Sequence, residues 1–326
     1  MAGKSFGAQK RQNKSQISAR KKRERAQNKN PMKTLLLFDA NSLVHRAFHA
    51  LPPLTESSGK PAQALYGLSS IMLKLWRENK PDYAAALFDS PGATFREEHY
   101  KEYKATRAET HTDLLGQLKE SPKVFALFGA KPFAEPGFEA DDLVATFAER
   151  FKKEKDLEVT ILTGDLDTLQ IVDDKVSVRA FRKGVTDTML YDIKGVRERY
   201  GLAPEQMLDY KILVGDASDN VRGVLGIGPK TACTILQEHK SIEKALKEME
   251  EGRAKEKLVA AKEQIKISRK VLALRRDIPV KVKLEELEVL EDKEGLTEFF
   301  KEKGFKALLA RMENGVKDKK SQGQIF

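Results

Sequence analysis

One cysteine, Cys233, stands among 326 residues, so an internal disulfide is excluded, and no Cys or His ligand set surrounds it. A single thiol suits a reducing compartment. Cys233 itself reads as a small core residue on an apolar helix. The five histidines are scattered without the spacing of a zinc site, and His99 reads as a surface residue. No apolar run approaches the roughly 18 residues of a membrane span, and the basic start has no apolar stretch of the kind a secretory signal needs. A soluble protein of the cell interior is expected.

The hydrophobic content, 40%, suffices for one large or two smaller cores. The net charge of +10 is uneven: residues 1–31 carry ten Lys/Arg against Glu24 alone, and the other 295 residues net about +1. Residues 1–31 therefore read as a disordered basic arm drawn to polyanions, with a solvated tail or an over-long start before Met32 as the alternative. After Pro31, apolar runs alternate with amphipathic segments, the pattern of βαβ units and a mainly parallel, doubly wound sheet. Helices are expected over Ala64–Glu78, stopped by Pro81, over Ala140–Lys153 and over Pro204–Val214. Val176–Phe181 reads as a strand. Beyond Pro204 the chain reads as helical and short-looped, and residues 313–326 as a frayed, flexible tail.

Acids stand out against this pattern. Thr34–Phe38 runs into Asp39, Tyr83–Phe88 into Asp89, and Val159–Thr163 through Gly164 into Asp165 and Asp167. In an open α/β sheet the carboxyl ends of the strands form the ligand crevice. Glu139, Asp141 and Asp142, and then Asp216 and Asp219, follow Pro/Gly-containing segments and join the same rim. Any one of these could be a helix cap or a turn residue. Nine in one cleft repel each other unless cations neutralise them, and hard oxygen ligands suit two Mg²⁺ or Mn²⁺ ions. Two such ions activate water and stabilise the leaving oxygen in phosphodiester hydrolysis.

Other motifs are weaker. Gly223–Thr231 superficially suggests a P-loop, but Pro229 separates Gly228 from Lys230, and no strand of a dinucleotide fingerprint leads into it. A turn with exposed N–H groups entering a helix suits one backbone phosphate, with Lys230 adding charge. The Asp165-Leu-Asp167 pair approaches a phosphatase pattern, yet Leu169 stands where Thr or Val is usual. Residues 92–113 interleave bases with aromatics, lack an apolar face and follow Asp89, so they should project over the cleft mouth.

Phe38-Asp39-Ala-Asn-Ser, Phe88-Asp89, Gly137-Phe-Glu139-Ala-Asp141-Asp142, Thr163-Gly-Asp165-Leu-Asp167, Gly215-Asp216-Ala-Ser-Asp219-Asn220 and Gly226-Ile-Gly228-Pro-Lys230-Thr231-Ala resemble, in order, the flap endonuclease superfamily. The likeness is greatest to the 5′-nuclease domains of bacterial DNA polymerase I. It spans about residues 33–312 and matches all nine acids of that family. It implies a PIN/5′-nuclease-like α/β core over 32–200 with a helical arch at 92–113, then a helical helix-hairpin-helix-type domain over 201–312 with its turn at 223–232. The implied activity is a metal-dependent 5′-3′ exonuclease and flap endonuclease acting on nicked or branched DNA and RNA primers. By the same resemblance one ion belongs to Asp39, Asp89, Glu139, Asp141 and Asp142, and the other to Asp165, Asp167, Asp216 and Asp219. Tyr103, Lys104 and Arg107 match arch residues that contact the reacting phosphate, and Arg96 is assigned to DNA binding. Gly226, Gly228, Lys230 and Thr231 match the turn that grips duplex phosphates, often with K⁺.

The pattern ends where a polymerase would continue, so a stand-alone, cytoplasmic, nucleoid-associated nuclease is expected. Gln322, Ile325 and Phe326, at the end of a polar stretch, resemble the peptide by which bacterial repair proteins dock on the sliding clamp. Two rivals remain. A module that holds branched DNA without cutting it is disfavoured by the complete acid set, and an RNA-cleaving relative would not need the arch or the helix-hairpin turn.

Overall fold

A computed structural model describes residues 32–107, 109–185 and 187–322. The basic arm and most of the clamp-like motif, Gly323–Phe326, lie outside the described residues. Six strands make the main sheet: β1 Lys33–Asp39, β2 Tyr83–Phe88, β3 Lys131–Ala134, β4 Leu157–Thr163, β5 Val176–Lys183 and β6 Asp187–Tyr191, in the order β3-β2-β1-β4-β5-β6. All neighbours are parallel except β5 and β6. The expected strands are thus present, with two additions at the edges. Pro132 in β3 obscures that strand in the sequence, and only an edge tolerates its missing N–H.

Side chains of β1 alternate between two cores, as strand geometry requires. Leu35 and Leu37 face one cluster with Val144, Phe147 and Ile161. Leu36 and Phe38 face the other, where Phe38 packs against Trp76 and Phe125. The helices over these faces are α1 Ala40–Ala50, α2 Gln63–Asn79, α3 Phe95–His99, α4 Thr112–Leu127 and α5 Ala140–Phe151. α2 ends before Pro81, as its apolar stripe predicts.

After α6 Ile193–Tyr200 and α7 Met207–Val214 comes a minimal hairpin of β7 Gly215–Asp216 and β8 Val221–Arg222. Helices α8 Pro229–His239, α9 Ile242–Glu248, α10 Arg253–Ala260 and α11 Lys262–Leu272 follow. The chain then departs from the helical expectation. Residues 273–282 run extended along α5, with Leu274, Ile278 and Val282 buried, because Pro279 and the residue before it disfavour helix. α12 Lys293–Glu302 and α13 Lys306–Gln322 return to the α/β layer, placing Phe299, Phe300 and Leu308 in the Phe38 core. The Cys233 thiol is half-buried, packed against the edge of the core and 3.5 Å from the Tyr200 carbonyl.

Candidate active site

The strand order reverses direction between β1 and β4, and a crevice must open beyond their carboxyl ends. Asp39 ends β1 and Asp165 follows β4, so both reach this point. Asp39 Oδ1 accepts from the Ser42 amide (3.2 Å) as the cap of α1, and Oδ2 accepts from Thr163 Oγ1 (2.6 Å). Gly164 passes so close to Ser42 that a Cβ there would lie 2.6 Å from the hydroxyl, which instead accepts from the Gly164 amide. Asp89, beyond β2, accepts from the Ala140 amide (2.8 Å) and so fixes the start of α5, where Asp141 projects into the cleft. Burial pushes the Asp39 carboxyl up to about 7, with Asp89 and Asp165 adding to it and Thr163 opposing. Asp141 is raised well above the usual carboxylate range by burial and by Asp39, Asp165 and Asp167. Its Oδ1 is buried without a hydrogen-bond partner.

A second group forms where α7 meets the small hairpin. Oxygens of Asp167, Asp216 and Asp219 lie within 4.8 Å of one another. Lys211, on α7, bonds to Asp167 and lies 2.6 Å from Asp216. Burial disfavours the charge on Asp216, but Lys211 outweighs it and lowers the carboxyl's pKa. Asp167 is pushed up to about 7 by burial and by Asp165, against the opposing pull of Lys211. Lys211 escapes a reading of acid motifs; its only signal is a cation inside an apolar helix, five residues before Asp216.

The expected helical arch is one short helix, α3, followed by turns through residue 106. That segment lies down on the acids. Tyr103 Oη donates to Glu139 (2.9 Å) and sits 3.3 Å from Asp219; Lys104 Nζ reaches Glu139 (2.6 Å); Arg107 reaches Asp219 (2.6 Å) and the Ser218 carbonyl (3.1 Å). Lys104 has a left-handed backbone, φ 55°, and its amide donates to the Asp219 carbonyl at 3.0 Å. The three residues are therefore brought to the cleft.

Arg96, expected at a DNA surface, is buried inside the fold. Its guanidinium, 2% exposed, grips both Asp142 oxygens (2.5 and 2.7 Å) while Nε donates to the Val271 carbonyl (2.7 Å). Asp142, fully buried, also accepts from the Arg275 amide (2.9 Å) and caps the Glu139 amide (3.3 Å). Both of its oxygens have partners, and through them Asp142 orients the start of α5. An isolated buried carboxylate would be costly, and the bidentate pair removes that cost. Burial opposes the charge of Glu139, but Lys104 and Arg96 hold its carboxyl below the usual range.

At the helix-hairpin turn Gly226 has φ 75°, and its carbonyl accepts from Lys257 Nζ at 2.9 Å. Ile227 is buried and anchors the turn, whereas Leu225 is 91% exposed. Gly228 precedes α8 with open space where a Cβ would be, so backbone N–H groups there are approachable. Lys230 and Thr231 are exposed beside it.

Carboxylates raised by burial and by mutual repulsion, an unpartnered Asp141 oxygen and a three-acid cluster are what a site for divalent cations requires. The fold and rim thus define an α/β protein built around a metal-binding acidic crevice. Family models agree: "5′-3′ exonuclease, N-terminal resolvase-like domain" matches residues 34–201 and "5′-3′ exonuclease, C-terminal SAM fold" matches residues 202–294. DNA polymerase I of Caldicellulosiruptor bescii is 39% identical over 285 residues, 85% of this chain and 33% of that protein. DNA polymerase I of Bacillus subtilis is 37% identical over 284 residues, 86% and 32%. The chain belongs to the 5′-3′ exonuclease family, and it spans about a third of the length of the relatives it matches. Among solved structures, a bacteriophage T5 5′-exonuclease with bound divalent metal ions (zinc) has TM-score 0.60 at 24% identity, covering 74% of this chain and 89% of its own. The T5 flap endonuclease in a pseudo-enzyme-product complex with DNA and metal ions has TM-score 0.60 at 21% identity, covering 87% and 98%. These last two share the fold.

Proposed function

We propose that the protein is a divalent-metal-dependent 5′-3′ exonuclease and flap endonuclease that hydrolyses phosphodiesters at 5′ ends and flaps of DNA, RNA primers included. The observation that carries this reading is Asp141 Oδ1, buried without a hydrogen-bond partner on a carboxyl that Asp39, Asp89 and Asp165 repel. Asp39, Asp89 and Asp141 would hold one Mg²⁺ or Mn²⁺, and Asp167, Asp216 and Asp219 the other, with Glu139 and Asp165 at the boundary. Bound there, the ions would supply an activated water and charge stabilisation for the leaving oxygen. Lys104 and Arg107 would shift from Glu139 and Asp219 to the reacting phosphate, where their charge counts most as negative charge develops. Gly226, Gly228, Lys230 and Thr231 would hold a duplex phosphate, with K⁺ at the turn as the family resemblance implies. The described residues hold no helix long and apolar enough to cross a membrane, and a cytoplasmic, nucleoid-associated enzyme fits this chemistry. A 5′-labelled flap duplex incubated with Mg²⁺ should be cut near the junction and left intact in EDTA. Asp141→Asn should abolish cutting, and Lys104→Ala should lower the single-turnover rate more than the affinity. Wild-type cutting by Asp141→Asn would defeat the assignment.

A further inference from the structure

The acids of the crevice fall into two groups by what neutralises them. Among the described residues no Lys or Arg pairs with Asp39, Asp89, Asp141 or Asp165, whereas Asp167 and Asp216 share Lys211 and Asp219 takes Arg107. We propose that Lys211 is a built-in cation that occupies the place of the second divalent ion in the metal-free protein and must withdraw when that ion enters, so that the two ions load in a fixed order. This rests on the metal-dependent reading above.

Three features support it. Asp167, Asp216 and Asp219 bring oxygens within 4.8 Å of one another, a spacing fit for a single cation, and an ammonium already holds two of the three. Lys211 stems from α7, whose Ile212 and Leu213 are locked in the core, so the helix stays fixed while the four-carbon stem swings. The side chain is 21% exposed, which leaves a way out to solvent. A unit positive charge in contact with two ligands repels an incoming divalent ion and competes for its oxygens. No such competitor stands at Asp39 and Asp141. The first ion should therefore bind the unpaired acids tightly and the second more weakly, at the cost of displacing Lys211.

The test uses Mn²⁺ titration of the full chain without DNA, reading free Mn²⁺ by electron paramagnetic resonance. Wild type should show one tight and one weaker ion. Lys211→Met, which keeps the stem and removes the charge, should tighten the second site by about tenfold or more and move the first by less than about threefold. Lys211→Arg, which keeps the charge, should resemble wild type. A second site that is unchanged or weaker in Lys211→Met overturns the proposal. A measurement on the wild type guards against a variant that does not fold: Lys211 should resist acetylation in EDTA and become reactive at saturating Mg²⁺, read by peptide mass spectrometry. Equal reactivity in both conditions overturns the proposal too. If the ions load as stated but flap DNA stays uncut, the hydrolytic reading fails and the loading order stands.

Discussion

Without divalent metal, this protein should lose stability as pH rises through neutrality. The groups responsible are Asp39 and Asp167, each raised from 3.8 to about 7, and Asp141, raised as well. A carboxyl whose folded value exceeds its unfolded one binds its proton more tightly in the native state. Its stabilising contribution is complete below the unfolded value near 4 and is lost as pH rises through the folded value near 7. For Asp39 the shift of about three units, at about 1.4 kcal/mol each, is worth on the order of 4 kcal/mol. The neighbours titrate together, so the three do not add. At about 2 °C per kcal/mol for a chain of this size, Tm in EDTA should fall by about 8 °C between about pH 4.5 and pH 8. Glu139 and Asp216 are depressed from 4.5 and 3.8; their contribution is complete above those values and lost as pH falls below them, at and beyond the acid edge of this window. Saturating Mg²⁺ holds the carboxylates ionised, so the fall should vanish. Asp39→Asn should remove part of the slope. Scanning calorimetry across the range, in EDTA and in Mg²⁺, decides it. A Tm in EDTA that is flat or rises between about pH 5 and pH 7.5 would refute the reasoning.

Two further outcomes are expected. Arg96→Lys cannot hold both Asp142 oxygens and the Val271 carbonyl together, and breaking a buried pair typically costs about 3–5 kcal/mol; urea unfolding should show a loss of that order, while the salt dependence of DNA binding stays unchanged. An Arg96→Lys protein of normal stability with a flatter salt slope would return this residue to the DNA interface. A peptide of residues 313–326 should bind a bacterial sliding clamp, with Ile325→Ala plus Phe326→Ala removing the binding; no association at high micromolar clamp would end that reading.

The rim was legible in the sequence because strand periodicity and strand ends are local properties. Thr34–Phe38 and Val159–Thr163 are short runs of apolar and β-branched residues, parallel sheets bury such runs on both faces, and whatever follows them must lie at the carboxyl edge. What neutralises the rim was not legible, because it depends on which cation arrives from elsewhere in the chain. Arg96 and Lys104 come from one polar segment with no apolar face, yet one is buried against Asp142 and the other rests in the open cleft. The difference is set by Val271 and Arg275, more than 170 residues further on, whose backbone groups complete the Arg96–Asp142 pair. The same reason hid the path of residues 273–282: their alternation is irregular, and they are extended because α5 offers Thr146 and Arg150 as partners for the Arg275 and Val280 carbonyls. A string of nine acids therefore announces cations without saying whose. In this fold part of that charge is supplied by the chain itself, at Asp142 permanently and, on the argument above, at Asp167 and Asp216 until a divalent ion takes over. Following each carboxylate to its partner separates those that the chain itself neutralises from those it leaves unpaired.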